Sequence, residues 1–568
     1  MMKETRLYHM NTFDYIIVGG GASGCVLANR LSEQSHHNIL LIEAGDDIYP
    51  GKEPADILSI YPMSYFNPNY KWQNIRGYWK TPSTSQPSFI EQGKVLGGSS
   101  SIMGMVALRG VPDDFNEWKN YGLKNWGWDD VLPYFNKSEH DLDFKNEFHG
   151  NNGPTNIFRN KMADWPPLAK AGLHFSNTNG IPYIADANGD FRDGYCSVPI
   201  AASHTQRSST AVCYLNSSVR KRKNLTVLCN TSVLELIFED KKVTGIKALK
   251  DNNTLEFFAN ETILTLGALQ SPTLLLKSGI GPSKVVEAAG IEVRHHLPGV
   301  GQNLQNHPAV YICGLLFPNS RQKIKGQSHN NTAFRFSSNH DGCDQSDMYI
   351  TIQSKSAWHS LGQQVANFST ALHKPKSRGS IELSKDGNRN PIICFNFLND
   401  PRDLERMSIG LQKCLGIIFS KDIFPHLRHV FPVNRNAFIR QLNQKNKKNY
   451  LITSLFANLL DLAPFATKII CSRLSADKVD FQKLVDDSAL LKEFALKNVG
   501  GLAHNVGTCR MGVQADQNAV VDEAGKVFGI QGLRIADASI MPTVPSGNTF
   551  LSTIMLAEKI ADAIKSND

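Results

Sequence analysis

The first fifty positions alternate between short apolar runs and stretches of small or polar residues. Tyr15–Val18 is an apolar run long enough for a buried strand, and Ile39–Ile42 is a second. Between them Val26, Leu27 and Leu31 fall near helical spacing, so 14–45 reads as strand, helix, strand. A Pro- and Tyr-rich stretch, 49–90, reads as loops, and 224–249 alternates well enough for a β-meander. The run 261–281 predicts an apolar strand, a Gly-Ala turn and a short helix opened by Ser271-Pro272, because proline suits a first helical turn. Residues 317–500 carry longer polar stretches and read as the bulk of a second domain. Near the end, 532–542 predicts a strand ending at Asp537. Leu551, Ile554, Ile560 and Ile564 then trace a helical face, with Asn548 or Thr549 as N-cap.

One apolar segment, 449–474, stands apart. Ile452, Leu455, Phe456, Leu459, Ala463 and Ala466 fall near one helical face, and Ser454, Asn458 and Asp461 on another. Asp461 and Pro464 argue against a bilayer span. Packing inside the second domain is the expectation. A lid over an apolar channel and a peripheral membrane contact beside the basic "KNKK" at 445–448 are the alternatives.

The chemistry begins in the first turn. Gly19, Gly21 and Gly24 fit G-x-G-x-x-G between a strand and a helix, and Glu43 ends the second strand. The glycines allow a tight turn, close approach of backbone to a pyrophosphate, and close packing of helix on strand. The helix N-terminus favours phosphate, and a carboxylate at the second strand tip can accept from a ribose hydroxyl. The motif alone leaves NAD and FAD open. A second small-residue stretch, Gly93–Gly110, reads either as a flexible loop or as a backbone-lined cradle for a flat or anionic ligand.

Composition narrows the class without naming it. With 568 residues, two domains are expected. Hydrophobic residues at 41% and charged residues at 20% suit an ordinary globular protein. A formal charge of +8 on this length, without an Arg-rich arm or zinc-finger spacing, argues against nucleic acid. The ten cysteines form no C-x-x-C, so no metal site is expected. The polar start and the lack of a long apolar run predict reduced thiols in a cytoplasmic protein, with membrane association as the variant reading.

Five blocks in order, "FDYIIVGGGASGCVLANRLSE", "GKVLGGSSS", "GALQSPTLLLKSGIG", "LPGVGQNLQNHP" and "GLRIADASIMP", resemble the glucose–methanol–choline family of flavin oxidoreductases, nearest its choline-dehydrogenase-like branch. The resemblance runs from about Phe13 to Lys565. It implies an α/β fold: a Rossmann-like FAD-binding domain from 1–158, 205–316 and 498–568, and an α+β substrate domain, antiparallel sheet with helices, from 159–204 and 317–497. It implies FAD on Gly19, Gly21, Gly24 and Glu43, with Gly98, Ser99 and Met103 along the flavin, Val233 at the adenine, and Asp537 and Ala538 near the ribityl-pyrophosphate. His504 in "AHNVGTCRMG" falls on the catalytic histidine and Asn548 on its His-or-Asn partner, with His307 the next histidine to consider.

The implied reaction oxidises a primary alcohol to an aldehyde. His504 would take the hydroxyl proton, Asn548 would orient the alkoxide, and flavin N5 would take the hydride. The electron acceptor, whether quinone, carrier or oxygen, stays open. A hydroxynitrile-lyase-like enzyme with structural FAD and a degenerate FAD-binding protein are the other readings. The chain departs from the branch at Met103 (usually Asn), Asn306 (Asp), Asn505 (Pro) and Phe550 (Asn). Ile102 stands where some members attach FAD through histidine, so non-covalent FAD is expected.

Overall fold

The computed structural model describes residues 12–324, 327–432, 437–463, 467 and 479–566. The strand Thr12–Val18 lies parallel between Ile39–Ile42 and Asn253–Leu264, with Ile17 opposite both Leu41 and Ile263. Leu225–Leu228 extends the sheet beyond Ile39–Ile42, and Leu533–Ile535 adds to Asn253–Leu264 from the far end of the chain. Ile16, Ile17, Val18, Leu40 and Leu41 have no exposed surface, as expected where a parallel sheet is covered on both faces. The helix Ala22–Leu31 packs against the final helix Thr549–Lys565. Arg30 on the first holds the buried Glu558 on the last, Nη2 to Oε1 at 2.8 Å.

A second sheet is antiparallel except at its last pair, where Tyr183–Ile184 runs parallel to Gly194–Ser197. Its strands run Leu427–Pro432, Pro308–Leu316, Val365–Leu372, Met348–Gln353, Asn330–Phe336, Gly194–Ser197 and Tyr183–Ile184, with Gly500–Gly501 paired on Pro308 and Ala309. Period-two alternation gives this sheet two faces. Val310, Ile312, Ile350, Ile352 and Phe368 join Met407, Leu411 and Leu415 of the helix Pro401–Ile418 in a core. Tyr311, Thr351, Gln353, Asn367 and Ser369 point the other way, into a cavity shared with the first sheet.

Several elements differ from the sequence expectation. Leu225–Leu228 is a parallel strand, so only Ser232–Glu239, Lys242–Lys250 and the first half of Asn253–Leu264 form a meander. The helix expected to open at Ser271-Pro272 starts at Gly267, with Pro272 inside it. Proline cannot donate to the Ala268 carbonyl; the Thr508 hydroxyl does so instead, at 2.6 Å. The stretch 49–90 contributes strands Arg76–Tyr78 and Ser88–Phe89 to a four-stranded sheet. The last strand stops at Ile535, and Asp537 caps the short helix Ala538–Ile540. Pro308–Leu316, placed by sequence at the end of the 205–316 segment, pairs within the antiparallel sheet.

Within 449–474 the helix Lys447–Leu462 turns Asn449, Thr453, Ala457 and Leu460 inward. Leu451, Leu455, Phe456, Leu459 and Leu462 are exposed, so most of the face expected to pack does not. Pro464, Ala466 and 468–474 lie outside the described residues. No described helix is long and apolar enough to cross a membrane.

Candidate active site

A cavity of 880 Å³ lies between the two sheets. Gly19, Gly21, Glu43, Gly98, Ser99, Met103, Val233, His504, Asp537, Ala538 and Asn548 all line it. Gly24 does not. It sits behind the turn, where a Cβ would lie 1.9 Å from the Gly19 carbonyl oxygen, so its role is to let the helix close on the strand.

The turn is shaped for a ligand. Gly19 takes φ +107°, and a Cβ there would meet the Thr265 carbonyl oxygen at 2.8 Å. Gly21 has an ordinary φ of −75°, and a Cβ on it would meet protein no closer than 3.6 Å. Neither strain nor crowding demands glycine at 21, which leaves cavity space beside free helix N–H groups. Gly98, at φ +53°, brings the short helix Gly98–Ser101 against Gly21, whose Cα would stand 2.9 Å from its added Cβ. Glu43 accepts from Gly20 N at 2.9 Å and Gly45 N at 2.8 Å, and burial still raises its carboxyl to about 7. Asp537 accepts from Gly267 N and the Ser271 hydroxyl, tying the loop after Leu533–Ile535 to the helix Gly267–Lys277. A phosphate-tolerant turn, an acid at the second strand tip and a small-residue strip in one cavity fit a dinucleotide such as FAD. Met103 lines the same cavity, and its carbonyl accepts from Arg207 Nη1 at 2.7 Å.

The two side chains that the resemblance marks as catalytic come from two loops. Asn548 occupies the N-cap position of the final helix but makes no side-chain cap bond. Its amide nitrogen lies 3.0 Å from His504 Nε2 instead. Burial lowers His504 to about 4, so its imidazole is neutral near pH 7.

The strip 303–307 sets the spacing between those loops. Gln305 exchanges backbone bonds with Val506, while its side chain donates to the Pro542 carbonyl at 2.9 Å and accepts from Val544 N at 3.2 Å. Asn303 donates to the Gly507 and Pro542 carbonyls. Asn306 accepts from His504 N and donates to Asn505 Oδ1, each at 2.9 Å. His307 Nδ1 lies 2.8 Å from His504 Nδ1. Alternate amides at 303 and 305 are visible in the sequence, but nothing local says that they face two distant loops.

Away from the cavity, Glu139, Asp141 and His149 meet with metal-like spacing. Both ring nitrogens of His149 are already taken: Nδ1 lies 2.8 Å from Glu139, and Nε2 2.8 Å from Asp186. Arg109 and Arg159 pair with Glu139 and Asp141. These carboxylates raise His149 to about 10 against the cost of burial. The cluster is an imidazolium held among carboxylates.

Such a fold, with a dinucleotide turn, a cavity under the second sheet and a His–Asn pair on its wall, fits an oxidoreductase. The chain belongs to the GMC oxidoreductase family: residues 13–309 match its N-terminal domain and 375–557 its C-terminal domain. It is 38% identical to the 5-(hydroxymethyl)furfural oxidase of Methylovorus sp. over 97% of this chain and 98% of that one. It is 31% identical to the mitochondrial choline dehydrogenase of Mus musculus over 97% and 89%. The solved pyridoxine 4-oxidase from Mesorbium loti superposes with a TM-score of 0.80 at 26% identity, covering 98% and 99%.

Proposed function

We propose that the protein oxidises a neutral primary alcohol to an aldehyde with tightly but non-covalently bound FAD. The observation that carries the reading is the His504–Asn548 pair, 3.0 Å apart in the cavity that holds the glycine turn. Gly19, Gly21, Glu43, Gly98, Ser99, Val233, Asp537 and Ala538 would hold the cofactor. Once bound, the flavin supplies a hydride acceptor. No histidine lies between Gly93 and Gly110 to attach it, and Ile102 is fully buried.

Neutral His504 can take the hydroxyl proton at Nε2. Asn548 would hold the oxygen beside it and donate to the developing alkoxide. The final helix adds free N–H groups at Asn548, so partial positive charge faces the same point.

The wall facing this pair bears on the substrate. From the antiparallel sheet it offers Tyr311, Asn330, Thr351, Gln353, Asn367 and Ser369, with no carboxylate among them. Each carboxylate that does line the cavity has a partner: Glu43 the turn, Asp537 the helix, and Glu91 the Lys71 ammonium at 3.2 Å. Among the described lining residues a quaternary ammonium would find no unpaired carboxylate, so choline should be a poor substrate.

The test is anaerobic rapid mixing of the FAD-loaded protein with alcohols. Neutral aliphatic or aromatic primary alcohols should bleach the flavin faster than choline at equal concentration. His504→Ala should slow bleaching about 10²–10⁴-fold with FAD retained, the usual worth of a general base. Bleaching of the variant at the parent rate, or absence of bleaching by any alcohol in the parent, overturns the reading; the second outcome points to acid–base chemistry with structural flavin.

A further inference from the structure

The hydrogen bonds behind His504 permit one arrangement of protons. A backbone carbonyl can only accept. The Pro545 carbonyl lies 3.1 Å from His307 Nε2, so that nitrogen carries a proton. His307 is fully buried, with His504 and His373 as ring neighbours at centroid separations of 5.0 and 4.8 Å, and burial holds it well below the usual histidine range. A neutral ring protonated at Nε2 has a bare Nδ1. This Nδ1 faces His504 Nδ1 at 2.8 Å. Two bare nitrogens at that distance would repel, so His504 carries its proton on Nδ1. Neutral His504 is then bare at Nε2, the nitrogen turned to Asn548 and the cavity.

We propose that His307 is a positioning residue: it relays the acceptor character of the Pro545 carbonyl to His504 and locks the tautomer whose bare Nε2 faces the alcohol. The proposal rests on the reading of His504 as base. Without the relay both neutral tautomers of His504 are open. In the wrong one Nε2 carries hydrogen and cannot accept the hydroxyl proton. The relay also serves the later state. Once Nε2 has taken the proton, His504 is a cation that still donates from Nδ1, and the bond to His307 becomes charge-assisted without any ring turning. The proton passes from the alcohol oxygen to Nε2 alone, and His307 keeps its own proton on Pro545. Pro545 lies three residues before Asn548, so the segment that presents the alkoxide donor also dictates the protonation of its partner.

Two substitutions separate acceptor from bulk. Asparagine can place its carbonyl oxygen near the position of the imidazole Nδ1, whereas leucine fills space without an acceptor. In the FAD-loaded protein, His307→Leu should slow flavin reduction at saturating alcohol roughly 10²–10⁴-fold, as expected when a catalytic imidazole is held in the wrong tautomer. The alcohol concentration for half-maximal rate should change little. His307→Asn should recover most of the rate. Nitrogen-15 spectra of histidine-labelled protein should show His504 protonated at Nδ1 in the parent and in His307→Asn, and at Nε2 or mixed in His307→Leu. A parent spectrum with His504 protonated at Nε2 overturns the proposal, whether or not His307→Leu folds. Equal losses in both His307 variants also overturn it, as does parent-rate reduction by His307→Leu while His504→Ala is slow. If His504→Ala itself reduces at the parent rate, the base assignment falls, which is a separate failure.

Discussion

At position 505 the chain has asparagine where the family resemblance calls for proline, and at 306 asparagine where it calls for aspartate. Read along the chain these are two departures. In the structure they touch: Asn306 Oδ1 accepts from His504 N, its amide nitrogen donates to Asn505 Oδ1, and only 1% of Asn306 is exposed. An aspartate at 306 would have no hydrogen to place and so would call for no acceptor at 505; an amide does have one, and Asn505 accepts it. The exchange also removes a buried negative charge from beside His504. Asn306→Asp should therefore stabilise the imidazolium and move the acid limb of the pH profile for flavin reduction upward from about 4. The sign follows from the proposed role of the neutral ring as base: a raised value means the rate falls at a higher pH. An acid limb that stays in place would show that the carboxylate is too screened to matter.

Elements with strong apolar contrast were legible from sequence, and those whose polar residues face a cavity were not. Tyr15–Val18, Ile39–Ile42 and the closing helix show their burial directly. Tyr311, Gln353 and Asn367 alternate with core residues in the antiparallel sheet, but their face looks like solvent-exposed polarity until the first sheet covers it. Asn548 was legible as a helix start, yet its side chain leaves the helix uncapped to reach His504. The strap through Glu139, Asp141 and His149 was not legible, because Asp186 and Arg159 come from separate stretches. It carries its own prediction. His149 is raised from 6.5 to about 10, so its stabilisation is complete below about 6.5 and lost as pH rises through about 10. Asp141 and Asp186 are held below their ordinary value by His149 and Arg159, so their contribution fades only in acid. The urea midpoint of the parent should fall from pH 7 to pH 10 by more than that of His149→Gln. Parallel declines would show that His149 titrates in its ordinary range.

At the scale of the whole molecule, the cavity is where two sheets of different construction face each other. The parallel sheet supplies the glycine turn and strand tips, and the antiparallel sheet supplies a wall of neutral polar groups. The family blocks supply residues that line the cavity on the parallel-sheet side, because a strand–turn–helix sits at fixed local spacing. The second half depends on tertiary pairing, so sequence located the region without its lining. The parallel sheet is also assembled from distant pieces: Leu533–Ile535 closes on Asn253–Leu264, and Glu558 in the last helix meets Arg30 in the first. During synthesis these pieces emerge after the rest of the parallel sheet. The strip that spaces the two loops emerges some two hundred residues before the loops themselves, so the cradle stays open until His504 and Asn548 have followed. Cofactor loading is therefore expected only after Leu533–Ile535 has joined a sheet whose other strands are already made. A chain truncated after residue 530 should remain colourless when purified from flavin-rich cells while the full chain is yellow; a yellow truncated chain would mean that the N-terminal segments hold the cofactor alone.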